Sequence, residues 1–395
     1  MFNKQSHTLL SLLTVILVSS LLAIPTCLSA ASINLAKTGQ VACYNQSGLV
    51  IDCAGTGQDG EHQMGVEWPD LRFTDNGDGT ITDNLSGLTW LQDTQCVGRV
   101  KWLDALDTVN GLANGSCGLT DSSVAGDWRM PNYLELISLA NLGTTTSIAW
   151  FTSFGFTNLE GYGYWSSTSY TQTPSSALGY QFNQLFSGVF PKSATYQTWP
   201  VKGISAGPAK VWKTGQSICY GSTDAIPCTG TGQDGEYQAG EPHPAIRFTD
   251  NTDGTVTDNL TGLIWLKDVN CFGPGVWLDA FADANNMADG DCGLTDGSSA
   301  GDWRIPNPLE IVSLSDFSQT LPAFPPGHPF TNVPYLYHWA SASWTALPSY
   351  SYAGFTTAIG FYSNANKSDT EIFVTWPVRG GDVVLPDPIF ADGFE

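Results

Sequence analysis

Charge is what this sequence has least of. Only 13% of its 395 residues are Asp, Glu, Lys or Arg, where soluble domains average roughly 25%. Basic residues are the scarcer half, 15 against 37 acidic ones, for a formal charge of -22. Without a basic surface the chain cannot displace counterions from a phosphate backbone, so nucleic acid and anionic membrane are poor partners. Histidines number five, no Cys-x-x-Cys pair occurs, and neither a serine-nucleophile motif nor a phosphate loop is present. That leaves little for nucleophilic catalysis or a zinc site to use. What is plentiful is Gly (42) and Trp (14), within a hydrophobic fraction of 42% that is enough to bury a core.

The N-terminus reads as a secretory signal peptide. Lys4 and His7 precede an apolar run from Leu9 to Ile24, and Leu28-Ser29-Ala30 offers small residues for cleavage. A retained anchor would need roughly 20 apolar residues, and a lipoprotein would need small residues where Pro25-Thr26 precede Cys27. Cleavage after Ala30 or Ala31 discards Cys27 and leaves eight cysteines. An even number in an exported chain predicts disulfides. The expected product is secreted, extracellular or at the cell surface, with the periplasm as the other compartment, and has no membrane span.

The rest is one unit written twice. Thr56–Asp93 laid over Thr231–Asp268 gives 26 identities in 38 positions without a gap. The expected organisation is a copy at 36–203, a linker at 204–211, a copy at 212–380 and a tail at 381–395. Seven tryptophans fall in each copy, and the short linker implies that the copies sit close together. Cys43, Cys53, Cys96 and Cys117 recur as Cys219, Cys228, Cys271 and Cys292. Four cysteines allow three pairings, and the sequence does not choose among them. Local pairing, Cys43 with Cys53 and Cys96 with Cys117, is the simplest because it keeps both loops short.

Each copy reads as short strands, tight turns and two helices. Asn-Gly and Asp-Gly in Asp75–Gly79 predict a hairpin between Leu71–Phe73 and Thr80–Thr82, followed by a strand at Leu88–Leu91. Trp102, Leu106, Val109 and Ala113 recur at helical spacing up to Gly115, as do Trp277, Phe281, Ala284 and Ala288 up to Gly290. Asn132 and Glu135 form a capping box that opens a second helix, and Asn307-Pro308 opens its copy. Tyr164–Ser167 and His338–Ser341 read as strands among long loops, with closing strands at Thr198–Val201 and Thr375–Val378.

Three strings recur in the same order in both copies: Thr-Gly-Gln-Asp-Gly-Glu (56–61, 231–236), Arg-Phe-Thr-Asp-Asn-x-Asp-Gly-Thr-x-Thr-Asp-Asn-Leu-x-Gly-Leu-x-Trp (72–90, 247–265) and Gly-Asp-Trp-Arg-x-Pro-Asn (126–132, 301–307). Together they resemble the Lcl C-terminal domain family, named for the C-terminal domain of the Legionella collagen-like adhesin. The resemblance implies an α+β architecture of two tandem C-type-lectin-like domains, related to formylglycine-generating domains. It also implies adhesion to surfaces or polysaccharides. The triplets of calcium-dependent sugar-binding lectins are absent. Thr38–Ile204 carries six basic against 15 acidic residues and Lys213–Arg379 six against 18, which disfavours a sulfated ligand.

The candidate ligand-stacking residues are Tyr162, Tyr164, Trp165 and Tyr170 with Tyr335, Tyr337, Trp339 and Trp344, since aromatic faces stack on sugar rings. Asp75, Asp78 and Asp83 with Asp250, Asp253 and Asp258 are candidate calcium ligands, with Gln58–Glu61 and Gln233–Glu236 as a second acidic loop. Turn chemistry explains the same residues without a metal. Arg129 and Arg304 could bind an anionic group but are expected in internal ion pairs or backbone bonds, Glu135 and Glu310 in caps rather than as general acids, and Trp90, Trp265, Trp128 and Trp303 in the core. Two functions follow: a non-enzymatic exported module that engages a polysaccharide or surface protein, or a structural protein that assembles with itself. The tail, ending Phe390-Ala391-Asp392-Gly393-Phe394-Glu395, is frayed in one reading and a sorting or docking strand in the other.

Overall fold

The computed structural model describes residues 33–320, 322–354, 362–370 and 373–380. The expected signal peptide and C-terminal tail lie outside them. The first copy runs β1 (Cys43–Tyr44), β2 (Val50–Ile51), α1 (Asp59–His62), β3 (Phe73–Asp75), β4 (Thr80–Asp83), β5 (Thr89–Leu91), α2 (Trp102–Asn110), α3 (Tyr133–Ser138), α4 (Ser147–Thr152), β6 (Gly163–Ser169), β7 (Ser176–Gln181), β8 (Phe186–Pro191), β9 (Gln197–Thr198) and β10 (Val201–Lys202). The second runs β11 (Cys219–Tyr220), β12 (Ala225–Ile226), α5 (Asp234–Tyr237), β13 (Phe248–Asp250), β14 (Thr255–Asp258), β15 (Ile264–Leu266), α6 (Trp277–Asn286), a 3-10 turn at Asp291–Gly293, α7 (Pro308–Ser313), β16 (Tyr337–Ser343), β17 (Tyr350–Gly354), β18 (Tyr362–Asn366), β19 (Phe373–Val374) and β20 (Val378–Arg379). It is a mixed fold of few, short helices and small sheets.

Each copy builds two four-stranded sheets. One has the order β10-β5-β4-β3, mirrored by β20-β15-β14-β13, and the other β8-β7-β6-β9, mirrored by β18-β17-β16-β19. The expected hairpin forms with Thr74 opposite Thr82. Its tip needs glycine: Gly79 sits at φ +85, and a Cβ there would lie 2.7 Å from the Gly118 carbonyl oxygen. Both capping boxes form, Asn132 accepting from the Glu135 N–H and Asn307 from the Glu310 N–H. Helices α2 and α6 stop short of Gly115 and Gly290, because the backbone N–H groups of Asn114 and Gly115 turn to Ser123 and Leu119. The one-turn helices α1 and α5, and α4, go beyond the two expected. All four disulfides are local: Cys43–Cys53, Cys96–Cys117, Cys219–Cys228 and Cys271–Cys292.

The two copies share one compact unit, and one apolar cluster joins Tyr133, Leu134 and Ile137 to Ile311, Val312 and Phe317. More is shared than a face. The N-terminal arm of each copy, residues 40–62 and 216–237, lies on the core of the other. Arm one places Gln40 on Ser343 and Gly57 beside Phe281, while arm two places Gln216 on Ser169 and Gly232 beside Leu106. Within each arm the Gln of Gln-Asp-Gly-Glu closes the hairpin, Gln58 exchanging two hydrogen bonds with the Tyr44 backbone and Gln233 two with Tyr220.

Candidate functional site

The aromatic candidates divide by burial. Tyr164, Trp165 and Trp339 have no exposure, and all seven positions of β6 are buried. A ring with no accessible face cannot stack on a sugar, so these three are core, contrary to the sequence expectation. The reason lies within each copy: Tyr164 packs on Phe182 and Trp199, Trp165 on Phe190 and Tyr196 beside Trp102, and Trp339 on Phe373 beside Trp277. Trp165 also donates its indole N–H to the Val100 carbonyl at 3.0 Å, and Trp339 donates to Gly275 at 2.8 Å. Trp344 is half-buried and donates to Gln184 at 2.6 Å.

The accessible aromatics are Tyr162 and Tyr335, which are 51% and 64% exposed, with Tyr170 and Tyr337 half-buried. Arg99 lies over the Tyr162 ring, 4.2 Å from its centre. Tyr170 of the first copy is close enough to Tyr335 and Tyr337 of the second for their phenols to add to the burial that pushes its own up to about 12. The fold thus gathers three phenols from two copies.

The carboxylates proposed for calcium have other work. Asp83 is held by Arg72, Nε donating to Oδ1 at 2.7 Å and Nη2 to Oδ2 at 3.2 Å, and Asp258 is held likewise by Arg247. Both acids are fully buried. Asp75 accepts from Gly77 N–H and Gln92, Asp78 from the Thr80 N–H and hydroxyl, Asp250 from Thr252 N–H and Lys267, and Asp253 from Thr255. Glu61 caps the Gly55 and Gly57 N–H groups at 2.6 and 2.7 Å. These are turn and ion-pair roles, and among the described residues no three His, Cys, Asp or Glu side chains come together as metal ligands. Of the two readings of these acids, turn chemistry and ion pairing account for every contact named here.

Arg129 grips Glu135 with two hydrogen bonds of 2.5 Å, and Arg304 grips Glu310 at 2.7 and 2.6 Å. Each glutamate also accepts from the backbone N–H of its cap asparagine, Asn132 or Asn307. Ion pair and helix cap are thus one unit, a coupling of two roles that the sequence reading kept apart. Trp90, Trp128, Trp265 and Trp303 are buried.

The family description of the Lcl C-terminal domain matches residues 79–202 and 254–379. The chain belongs to this family. Both Lcl matches begin after the arms, so the part that crosses between copies lies outside the matched domain. Among curated proteins and among solved structures, none matches the chain.

Two features of the Lcl cores were not anticipated. Lys192 and Lys367 are buried, each with its ammonium 3.8 or 3.9 Å from the centre of a Trp ring, Trp102 or Trp277. Each donates to a serine hydroxyl, Ser169 or Ser343, on the strand that receives an arm. Burial pulls both down to about 7. Asp59 and Asp234 are their acidic counterparts on the arms: burial pushes them up to about 7 and about 6, against hydroxyls of Thr38 in one case and of Thr168 and Thr214 in the other. The recurrence of one Lys and one Asp per copy was visible in sequence, but their burial depends on the arm crossing. The first core also carries an open groove of about 680 Å3 lined by Thr145, Thr146, Ser147, Ile148, Thr152 and Asn183, without a charged side chain.

Proposed function

We propose that this Lcl protein is an exported, non-enzymatic surface-adhesion module with C-type-lectin-like domains, engaging a neutral polysaccharide or a surface protein. The observation that carries the reading is membership of the adhesin-derived family over both copies. Four disulfides suit an oxidising compartment, and among the described residues no helix is long and apolar enough to cross a membrane. The groove beside α4, mostly apolar with the Thr145, Thr146 and Ser147 hydroxyls and the Asn183 amide among its lining, and the phenols Tyr170, Tyr335 and Tyr337 offer stacking faces and a few hydrogen bonds without charge. All eight cysteines from Cys43 onward are tied up, and Glu135 and Glu310 are locked to arginines, which leaves these groups unsuited to act as nucleophile or acid.

A glycan array probed with the folded protein tests this. Binding to uncharged glycans that falls at least tenfold in Asn183→Ala or Tyr335→Ala is the expected result. Absence of glycan and cell-surface binding, together with concentration-dependent self-association, would transfer support to the structural, self-assembling reading. The reciprocal arms are the observation in favour of that second reading.

A further inference from the structure

We infer that each Lcl core carries a docking groove for the arm of an equivalent copy, so that this chain is a tethered pair whose covalent join is dispensable. The groove on the first core is built from the end of β6, the face of α2 and the cap of α3. Ser169 exchanges two backbone hydrogen bonds with the Gln216 amide, the Thr168 hydroxyl donates to Asp234 at 2.7 Å, and Asn110 accepts from the Tyr237 hydroxyl at 3.1 Å. Asn132, already the cap of α3, spends its amide N–H on the Ala239 carbonyl at 3.0 Å. The groove on the second core repeats the glutamine clamp with Ser343 and Gln40; Ala342 stands there in place of Thr168 and His62 in place of Tyr237, and Lys367 reaches the Asn45 carbonyl at 3.3 Å.

The recognition is reciprocal, which is the mark of an isologous interface between identical parts. It is also specific. A side-chain amide that matches both the N–H and the C=O of one strand residue replaces a missing strand neighbour, and loss of either partner would leave buried polar groups unpaired. The arm is a pre-shaped ligand, closed by Cys43–Cys53 or Cys219–Cys228 and by the Gln58 or Gln233 clamp, so little ordering cost remains when it docks. The Lcl match excludes both arms; a core of this family without one would expose the groove. The partner that fits is another copy's arm, with a glutamine at its foot and Asp-Gly-Glu at its turn.

The test uses the whole protein. A protease site inserted between Gly203 and Ile204, both exposed, is cleaved after folding. The halves are expected to co-elute at the mass of the intact chain and to melt in one transition, with the Ser169 and Ser343 amides still protected from hydrogen exchange. Separation of the halves at micromolar concentration would overturn the inference. So would co-elution with those two amides exchanging like exposed ones, because association would then rest on the shared apolar face alone. In the uncut chain, Gln40→Ala with Gln216→Ala is expected to lower protection of both amides at least tenfold; unchanged protection counts against the groove.

Discussion

The Gln216 side chain of the second copy clamps Ser169 of the first, its amide oxygen accepting from the Ser169 N–H at 2.8 Å and its amide N–H donating to the Ser169 carbonyl at 2.9 Å. Gln40 does the same to Ser343. Each clamp sits where a buried strand, β6 or β16, would otherwise end with unpaired backbone groups. The copies therefore complete each other.

Gln216→Ala is expected to cost about 1–3 kcal/mol, since two buried backbone groups lose their partners. Gln40→Ala should cost a similar amount, and the double variant the sum, because the two clamps share no partner. Urea denaturation of the three variants checks this; a double variant no less stable than either single one would mean that the clamps are idle.

Much of this was legible beforehand. The hairpin at Asp75–Gly79, the boxes at Asn132–Glu135 and Asn307–Glu310 and the local disulfides depend on residues close in sequence, so local chemistry decides them. The crossing of the arms was not legible. Gln40 could meet Ser169 or Ser343 with the same chemistry, and a repeat gives no signal for which. Burial of Tyr164, Trp165 and Trp339 was missed for a different reason: in a Ser- and Thr-rich stretch they read as loop aromatics, and the rings that cover them, such as Trp199, Phe190 and Phe373, stand far along the same copy. Asp83 and Asp258 were misread because their partners, Arg72 and Arg247, stand 11 residues away across a hairpin.

Glu135→Gln should be among the most damaging single changes. It leaves Arg129, which is buried, without its counter-charge and weakens the cap of α3. Breaking such a pair from one side costs about 3–5 kcal/mol. Thermal melting reads the loss, and a drop no larger than that of an exposed Glu67→Gln would show that the pair contributes nothing net.

Addition of a calcium chelator to the folded protein is expected to leave the melting midpoint unchanged, because Asp83 and Asp258 are already neutralised by arginines and Asp75, Asp78, Asp250 and Asp253 are occupied in turns. A downward shift on chelation, reversed by added calcium, would restore these acids as ligands.

Lys192 and Lys367 give the stability a rise on the alkaline side. Their folded values, near 7, lie below the ordinary 10.5 because of burial. Between those limits the unfolded chain holds protons that the native one has released, so stability increases with pH there. Wild type should be more stable at pH 9 than at pH 7, and Lys192→Met with Lys367→Met should show a smaller gain. Equal pH slopes for the two proteins would mean that the ammonium groups stay charged against the faces of Trp102 and Trp277.

His338 occupies the position of Tyr164 in the first copy, and the exchange costs it the hydroxyl contacts that Tyr164 makes. The Tyr164 hydroxyl lies 3.3 Å from the Thr94 hydroxyl and accepts from the Glu160 N–H at 3.3 Å. In the second copy Val269 replaces Thr94, and among the described residues neither buried ring nitrogen of His338 has a hydrogen-bond partner, the ring centre lying 5.0 Å from that of Trp376. Burial holds the imidazole down at about 3, against an ordinary 6.5. From pH 6.5 down to 3 the unfolded chain takes up a proton that the native one refuses, so acid favours unfolding through this residue. His338→Phe removes both the unpaired nitrogens and the proton uptake while keeping the ring against Trp376. It should raise stability by about 1–3 kcal/mol at pH 7, and its melting midpoint should fall less than that of wild type between pH 6.5 and 4. A destabilised variant with an unchanged acid limb would show that the native imidazole has a bonding partner after all.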